Sequence, residues 1–412
     1  MATSDNPKRF HEMDGLRAGT MIVGIFFHAA LSFMDSPIFS WPVQDRSHHW
    51  LVDLAVWAVR GFSMQVFFLV AGFFAHFLHH RYGPLGFIRH RLVRIVVPFV
   101  AGVLILVPIV HSLWIYGVYK STILGANLTP WQAISDHFGS GEYIRKLGPV
   151  HLWFLYYLMF FYAGMMLGTA VMGRLVGRPA LEQVDRAFRW IVRTPWKPVI
   201  MAVPTTVVFY QMKGPSMGDH PSFTFVPDLS LLLYYGMFFA FGCLLNRQAE
   251  ILTCFMRYKW RYLACATLSV VTIPTLLSVQ SYFDYPDHGW RKLAAVLCTA
   301  TYSWMMIFGL MGIFVQYLNR PNALMRYISD SSYWLYLMHL PLVVYLQIVL
   351  ADTAIPGIIK FFLINLVALT LLWLSYRYVV RYTLIGAILN GKRDRPTVND
   401  RETLLKERSA RA

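Results

Sequence analysis

The chain has 412 residues, of which 57% are hydrophobic, 16% aromatic and only 14% charged, and its formal net charge is +16. Soluble domains carry nearer a quarter charged residues, so this composition excludes an ordinary soluble protein and predicts one integral membrane domain. The positive charge does not call for a nucleic-acid partner, because most of it falls between apolar stretches, where it favours cytoplasmic loops and anionic lipid head groups.

The apolar stretches predict an all-α polytopic membrane protein with about ten transmembrane helices, since a bilayer core needs roughly 20 residues per helix. The fifth stretch is the weakest, because it is short and contains Pro204. We expect residues 1–382 to form the membrane domain and residues 383–412 a basic cytoplasmic tail without fixed structure. The predicted spans are 15–35, 52–78, 95–116, 150–172, 198–212, 230–246, 262–281, 293–318, 328–350 and 357–377.

The distribution of Lys and Arg predicts the orientation. With the N-terminus in the cytoplasm, the inner segments hold 27 of these residues and the outer segments hold 8, while Arg17 and Arg60 lie within spans. This asymmetry is the positive-inside pattern, so both termini are predicted to be cytoplasmic. Omitting the weak fifth span would invert every later loop and place the basic tail outside.

The first span carries two polar residues, Arg17 and His28. Eleven residues correspond to three helical turns plus about 20°, so both side chains lie on one face, about 16 Å apart along the axis. A charged group inside a membrane helix is costly and usually faces a wet cavity where it has a function. An arginine and a proton-accepting histidine on one face indicate chemistry on an anionic substrate. The alternative is a structural arginine at the interface and a histidine that is hydrogen-bonded in the core.

The inner loop after the second span contains Arg91 and Arg94, three residues apart on a helix start and therefore on one face. Arginine binds phosphate in a bidentate manner, so this pair suits a phosphate-rich cytosolic molecule such as coenzyme A. The alternative is a pair of ordinary cytoplasmic arginines.

His339 in the ninth span reaches the same depth as His28. It lies about 16 Å from Ile328, and His28 lies about 20 Å from Asp14, both counted from the inner side at the helical rise. The two histidines could therefore share one cavity, the alternative being a single interhelical hydrogen bond. His151 and Trp153 open the fourth span at the outer interface, where tryptophan is also common merely as a belt residue.

Four cysteines fall in inner segments or spans, namely Cys243, Cys254, Cys265 and Cys298. None forms a CxxC motif or a Cys/His cluster. We therefore expect neither disulfides nor a metal site.

Four of these motifs, in order, resemble the acyltransferase-3 family of membrane enzymes. They are DGLRAGTMIVGIFFH in the first span, RLVR at 91–94, HLWFL at 151–155 and SYWLYLMHLP at 332–341. The stretch at 62–78 is also similar to one branch whose members are implied to succinylate periplasmic glucans. The resemblance spans residues from about 10 to 350, which makes it far more specific than any single motif.

The resemblance implies a multi-pass O-acyltransferase of the bacterial inner membrane, transferring groups other than amino-acyl groups. Its co-substrate would be cytoplasmic acyl-CoA, with succinyl-CoA favoured over acetyl-CoA, and no cofactor would be bound permanently. The acceptor would be a hydroxyl of a periplasmic carbohydrate such as an osmoregulated glucan. Besides the lipid bilayer and these substrates, the sequence leaves a homo-oligomer open.

The family's histidine carries over to His28, its arginine to Arg17, and its RxxR pair to Arg91 and Arg94. His28 would be a general base or a transient acyl carrier, and His339 would orient it or assist the oxyanion. Substrate contacts or structural support are expected from Asp14, His151, Trp153, Ser332 and Tyr336.

The alternative function is a polytopic transporter or flippase of an anionic substrate or glycan, which also uses arginine and histidine at mid-membrane. Such proteins usually show paired broken helices from an inverted repeat, and the sequence shows no such repeat. A structural or sensory membrane protein would need no RxxR pair aligned with a buried histidine.

Reporter fusions test the predicted topology. Fusions at Asn127, Gly218 and Pro286 should report the outer side, and fusions at Arg186 and Arg395 the cytoplasm, because the charge asymmetry orients the spans. An outer location for the fusion at Arg395 would refute this topology.

Overall fold

The computed structural model describes residues 9–36, 41–122, 129–175, 177–212, 224–270 and 289–393, and these residues form helices with no β-strand among them. π-Helical turns cover Leu92–Val96 and Tyr376–Val380. The helices are α1 (His11–Ala30), α2 (Trp50–Arg60), α3 (Ser63–Arg91), α4 (Val97–Thr122), α5 (Pro130–Gly139), α6 (Glu142–Arg145), α7 (Trp153–Leu175), α8 (Arg178–Arg193), α9 (Lys197–Tyr210), α10 (Leu229–Arg247), α11 (Lys259–Val270), α12 (Gly289–Tyr317), α13 (Ala323–Leu350), α14 (Gly357–Ser375) and α15 (Leu384–Asn390).

Seven helical segments in the described ranges are long and apolar enough to cross a membrane. This confirms an all-α protein with several membrane spans. One of the seven, Trp50–Lys120, has 71 residues, more than a single crossing needs. The shorter α9 corresponds to the weak fifth span, and residues 271–281 of the seventh predicted span lie outside the described residues. The count of ten and the cytoplasmic termini stay predictions.

The second predicted span, 52–78, is not one helix. It divides into α2 and α3 at Gly61, and α3 then continues to Arg91. The hydroxyl of Tyr302 donates to the carbonyl of Ala58 at 2.8 Å, and the hydroxyl of Ser303 donates to the carbonyl of Gly61. These two side chains of α12 satisfy carbonyls at the break, an effect that residues 52–78 alone could not reveal.

The pair α1 and α13 lies at the centre of the bundle. α1 also packs against α3 and α12, and α13 also packs against α4 and α14. The side chain of Gln347 on α13 donates to the carbonyls of His28 and Ala29 at 3.0 and 3.1 Å. This bond fixes the end of α1 against α13.

A buried ion pair fixes the loop after α1 to the start of α14. Lys360 Nζ lies 2.7 Å from Asp45 Oδ2, with 2% and 3% of the two side chains exposed. Lys360 also donates to the carbonyl of Ala351 at 3.1 Å. The charges are therefore paired where an isolated charge would be costly.

Helices α3 and α10 cross in close contact at two glycines. A Cβ atom on Gly72 would lie 2.0 Å from the carbonyl oxygen of Phe239, and one on Gly242 would lie 1.9 Å from that of Leu69. Only a residue without a side chain fits, which is the small-residue packing common between membrane helices.

Replacing either glycine tests this crossing. Gly72→Ala or Gly242→Ala should destabilise the protein by about 1–3 kcal/mol, because the two backbones must separate. The measurement is thermal unfolding in detergent. Gly164→Ala on α7 is the matched control, since its Cβ would meet nothing within 4 Å; equal stability of all three variants would contradict the packing described.

Candidate active site

A cavity of about 500 Å³ lies between α1, α3, α7 and α13. Of the ten residues predicted for the site, nine line this one cavity, and Asp14 lies behind it. The nine are Arg17, His28, Arg91, Arg94, His151, Trp153, Ser332, Tyr336 and His339. The structure thus brings together motifs from four separate parts of the sequence.

Arg17 is held by α13. Its Nη2 donates to the hydroxyl of Ser329 at 2.7 Å and to Asp14 Oδ1 at 3.2 Å. Asp14, itself buried, also accepts from Arg9 Nε at 2.8 Å. Asp14 therefore supports the arginine from behind the cavity wall, and Ser329, which lines the cavity, joins α1 to α13.

Arg91 and Arg94 lie where α3 passes into the π-helical turn Leu92–Val96. Upstream, Gly83 adopts a φ of +67° and is followed by Pro84. This pair kinks α3 and so changes the direction of its last turns, which carry Arg91. The guanidinium of Arg91 lies 4.6 Å from the ring centroid of Tyr162. Its Nε and Nη2 are buried without a hydrogen-bond partner in the described part of the chain.

The start of the predicted tail covers the arginine-lined end of the cavity. Asn390, at the end of α15, lines the cavity and donates to the carbonyl of Asp330 at 2.8 Å. Arg393 forms an ion pair with Asp330 at 2.7 Å, and Gly391 lies close to the guanidinium of Arg94. Residues 384–393 are therefore folded against the bundle, and residues 394–412 of the predicted tail lie outside the described residues.

Three histidines line the other part of the cavity. The ring centroid of His339 lies 4.9 Å from that of His28 and 6.0 Å from that of His151. The depth count that placed His28 and His339 at one level therefore agrees with their contact in the structure. Both rings can touch the same ligand.

Backbone carbonyls fix the tautomer of each histidine in its neutral form. Nδ1 of His28 lies 2.9 Å from the carbonyl of Gly24, and Nδ1 of His339 lies 2.7 Å from that of Tyr336. Because a carbonyl only accepts, each Nδ1 carries the hydrogen and each Nε2 keeps a lone pair. In His151 the two ring nitrogens have the opposite roles. Its Nε2 donates to the carbonyl of Leu337 at 3.0 Å, and its Nδ1 is buried without a partner in the described residues.

Helix α7 and aromatic side chains complete the wall. Trp153 is buried against Phe68 and Tyr235, so it is part of the cavity rather than an exposed belt residue. Tyr336 donates to the carbonyl of His151 at 2.7 Å. Ser332 donates to the carbonyl of Ser329 at 2.7 Å and so sits beside the contact of Arg17.

Sequence reasoning missed several lining residues. Arg60 is a buried intramembrane arginine that lines the cavity, and its position inside a predicted span was the signal that could have found it. Tyr333, whose hydroxyl donates to the carbonyl of Arg94 at 2.6 Å, lies within the SYWLYLMHLP motif. Asn390 carried no such signal.

Metal binding was not expected, and the described residues contain no group of three or more His, Cys, Asp or Glu side chains that could hold a metal ion.

A model of the acyltransferase-3 family, described as an acyltransferase domain, matches residues 10–377. The chain belongs to the acyltransferase-3 family. It is similar to glucans biosynthesis protein C from Salmonella gallinarum, with 22% identity over 412 residues that cover 95% of this chain and 97% of the relative. The proteins of that name from Salmonella paratyphi B and Salmonella enteritidis are 21% identical with the same coverage. No solved structure gives a significant match. The protein is therefore a multi-pass membrane acyltransferase.

Proposed function

We propose that this acyltransferase moves an acyl group from cytoplasmic acyl-CoA to a hydroxyl of a periplasmic glycan across a bacterial inner membrane. The observation that carries the proposal is one cavity lined both by Arg17, Arg91 and Arg94 and by the three histidines His28, His151 and His339. Arg17 and His28 on α1 are about 16 Å apart along the helix, a large part of the roughly 30 Å of a bilayer core. The charged donor cannot cross lipid, so its acyl group and the acceptor must meet inside the protein.

Arg91 and Arg94 would hold the donor's phosphates. The two buried nitrogens of Arg91 that lack partners are the strongest support, because buried donors are normally hydrogen-bonded. In the described residues neither arginine forms an ion pair with a carboxylate, so both charges are available to an anion. The bidentate fork of arginine suits a phosphate.

His28 would act as the general base. Its Nε2 lone pair would take the proton of the acceptor hydroxyl while that oxygen attacks the thioester carbonyl. As the C–S bond breaks, the coenzyme A thiolate leaves and takes up a proton, and the acyl group remains on the glycan oxygen. The bond from Nδ1 to Gly24 holds the ring in the tautomer that this step needs.

His339 would orient the reacting groups. With Nδ1 donating to the backbone, its neutral ring offers only an acceptor to the cavity. That favours receiving a hydrogen bond from the acceptor hydroxyl over donating one to an oxyanion. Tyr336 on α13 and His151 in the turn before α7 would hold this arrangement, because the hydroxyl of Tyr336 donates to the carbonyl of His151.

One observation favours a succinyl over an acetyl group, and a second favours a glucan as the acceptor. Arg17 keeps one buried donor, Nε, without a partner among the described residues, and the free carboxylate of a succinyl group is a suitable acceptor. The relatives are named for glucan biosynthesis, which favours a glucan as the acceptor.

Removing the RxxR pair tests the donor site. Arg91→Ala and Arg94→Ala should each weaken acyl-CoA binding by about 1.5–3 kcal/mol, because a charge-assisted contact to phosphate is lost. Arg→Lys should recover only part of the affinity, because the planar fork is lost. The measurement is acyl-CoA titration of the purified protein.

The matched control is Arg186→Ala with Arg189→Ala, a pair three residues apart on α8 that does not line the cavity. This pair should leave acyl-CoA affinity unchanged. Unchanged affinity in the Arg91→Ala/Arg94→Ala protein would reject a phosphate role for Arg91 and Arg94.

Replacing His28 tests the chemistry. His28→Ala should lower glycan acylation by about 10²–10⁴-fold while acyl-CoA binding is retained. His28→Gln should not restore activity, because glutamine can hydrogen-bond but cannot take the proton. His339→Ala should reduce turnover less. Acylated glycan is quantified by mass spectrometry.

His111→Ala provides the control, since His111 is also a helical histidine beside another histidine, His137, but lies outside the cavity. It should keep full activity. A folded His28→Ala protein that still acylates its glycan would end this mechanism and transfer the role to His339 or His151.

A further inference from the structure

A second groove, of about 1060 Å³, lies between α13 and the end of α14 with the π-helical turn that follows it. It shares no lining residue with the active-site cavity. The charge distribution of the sequence predicts that this end of both helices is cytoplasmic. The groove therefore lies at the expected level of the inner lipid head groups.

The groove is positively charged and aromatic. Arg377 and Arg381 are four residues apart, and no Asp or Glu is among the residues that line it. The guanidinium of Arg381 lies 5.1 Å from the ring centroid of Tyr327, and that of Arg377 lies 5.3 Å from that of Tyr378. The aromatic rings contact the two cations without neutralising them.

Two donors in the groove are buried without a partner. Nε of Arg381 and Nε1 of Trp373 have no hydrogen-bond acceptor in the described part of the chain. Buried donors are normally satisfied, so these atoms call for acceptor oxygens from a bound molecule. Two cations and unpaired N–H groups together are a chemical match for a phosphate group.

The rim of the groove indicates that this phosphate belongs to a lipid. Leu324 is 67% exposed, Leu374 45% and Tyr378 68%, so apolar side chains border the cationic groups. In a membrane such residues contact acyl chains, whereas a free phosphate ion needs no apolar wall. Basic pockets between membrane helices on the cytoplasmic side are a known mode of binding anionic lipid head groups.

We propose that the groove formed by Arg377, Arg381, Tyr327 and Trp373 binds the head group of an anionic phospholipid. The bound lipid would link α14 to the same end of α13 that holds Arg17 through Ser329. This assignment does not depend on the donor or the acceptor of the acyl transfer.

Native mass spectrometry of the delipidated, full-length protein tests the assignment. Dioleoyl-phosphatidylglycerol should be retained with at least about tenfold higher affinity than dioleoyl-phosphatidylcholine, because only the former carries a net negative charge. Arg377→Gln/Arg381→Gln should lower phosphatidylglycerol binding at least about tenfold. The single variant Arg377→Gln alters an exposed side chain, so it should not affect folding. It should lower phosphatidylglycerol binding by a smaller factor than the double variant.

Arg257→Gln/Arg261→Gln is the matched control, because these arginines are also four residues apart and lie beside a tyrosine, Tyr258, but do not line the groove. It should leave lipid binding unchanged. Equal retention of the two lipids, equal loss in both double variants, or unchanged binding in Arg377→Gln/Arg381→Gln would overturn the proposal. Displacement of the lipid by millimolar inorganic phosphate would assign the groove to free phosphate instead.

Discussion

The pairing of α1 with α13 is the constraint on which the site depends. Near one end, Arg17 on α1 donates to the hydroxyl of Ser329 on α13, and near the other, Gln347 on α13 donates to the carbonyls of His28 and Ala29 on α1. A helix that slipped by one turn would break both links and leave polar groups unpaired in an apolar bundle, which is costly. Because these links fix the register, His28 and His339 are held opposite each other.

The same pairing explains how one cavity can contain two kinds of chemistry. The arginines lie where α3 ends in its π-helical turn and where α15 folds back, and there the donors of Arg91 lack protein partners. The histidines lie further along α1 and α13, each held by a backbone carbonyl. This separation suits a reaction in which the charged donor stays on one side and only its acyl end reaches the base.

Parts of the site could be predicted because helical rise and periodicity are fixed by the backbone: they placed Arg17 and His28 on one face and matched the depth of His28 with that of His339. Other parts depend on tertiary partners that no local pattern shows. The break at Gly61 requires the hydroxyls of Tyr302 and Ser303, and the ion pair of Asp45 with Lys360 joins residues 315 positions apart. The boundary at residue 383 placed the apolar stretch Leu384–Asn390 in the expected unstructured tail, whereas this stretch forms α15 and its Asn390 donates to the carbonyl of Asp330.

The proposed transfer of an acyl group by this one membrane domain, from a donor on one side of the bilayer to an acceptor on the other, can be measured directly. The direct measurement uses proteoliposomes with the enzyme in one orientation, labelled succinyl-CoA added at the face that carries Arg91, and a β-glucan oligosaccharide sealed inside. If the acyl group passes through the protein, labelled, succinylated oligosaccharide should form inside intact vesicles. Product that forms only when donor and acceptor share the same compartment would contradict the proposed transfer.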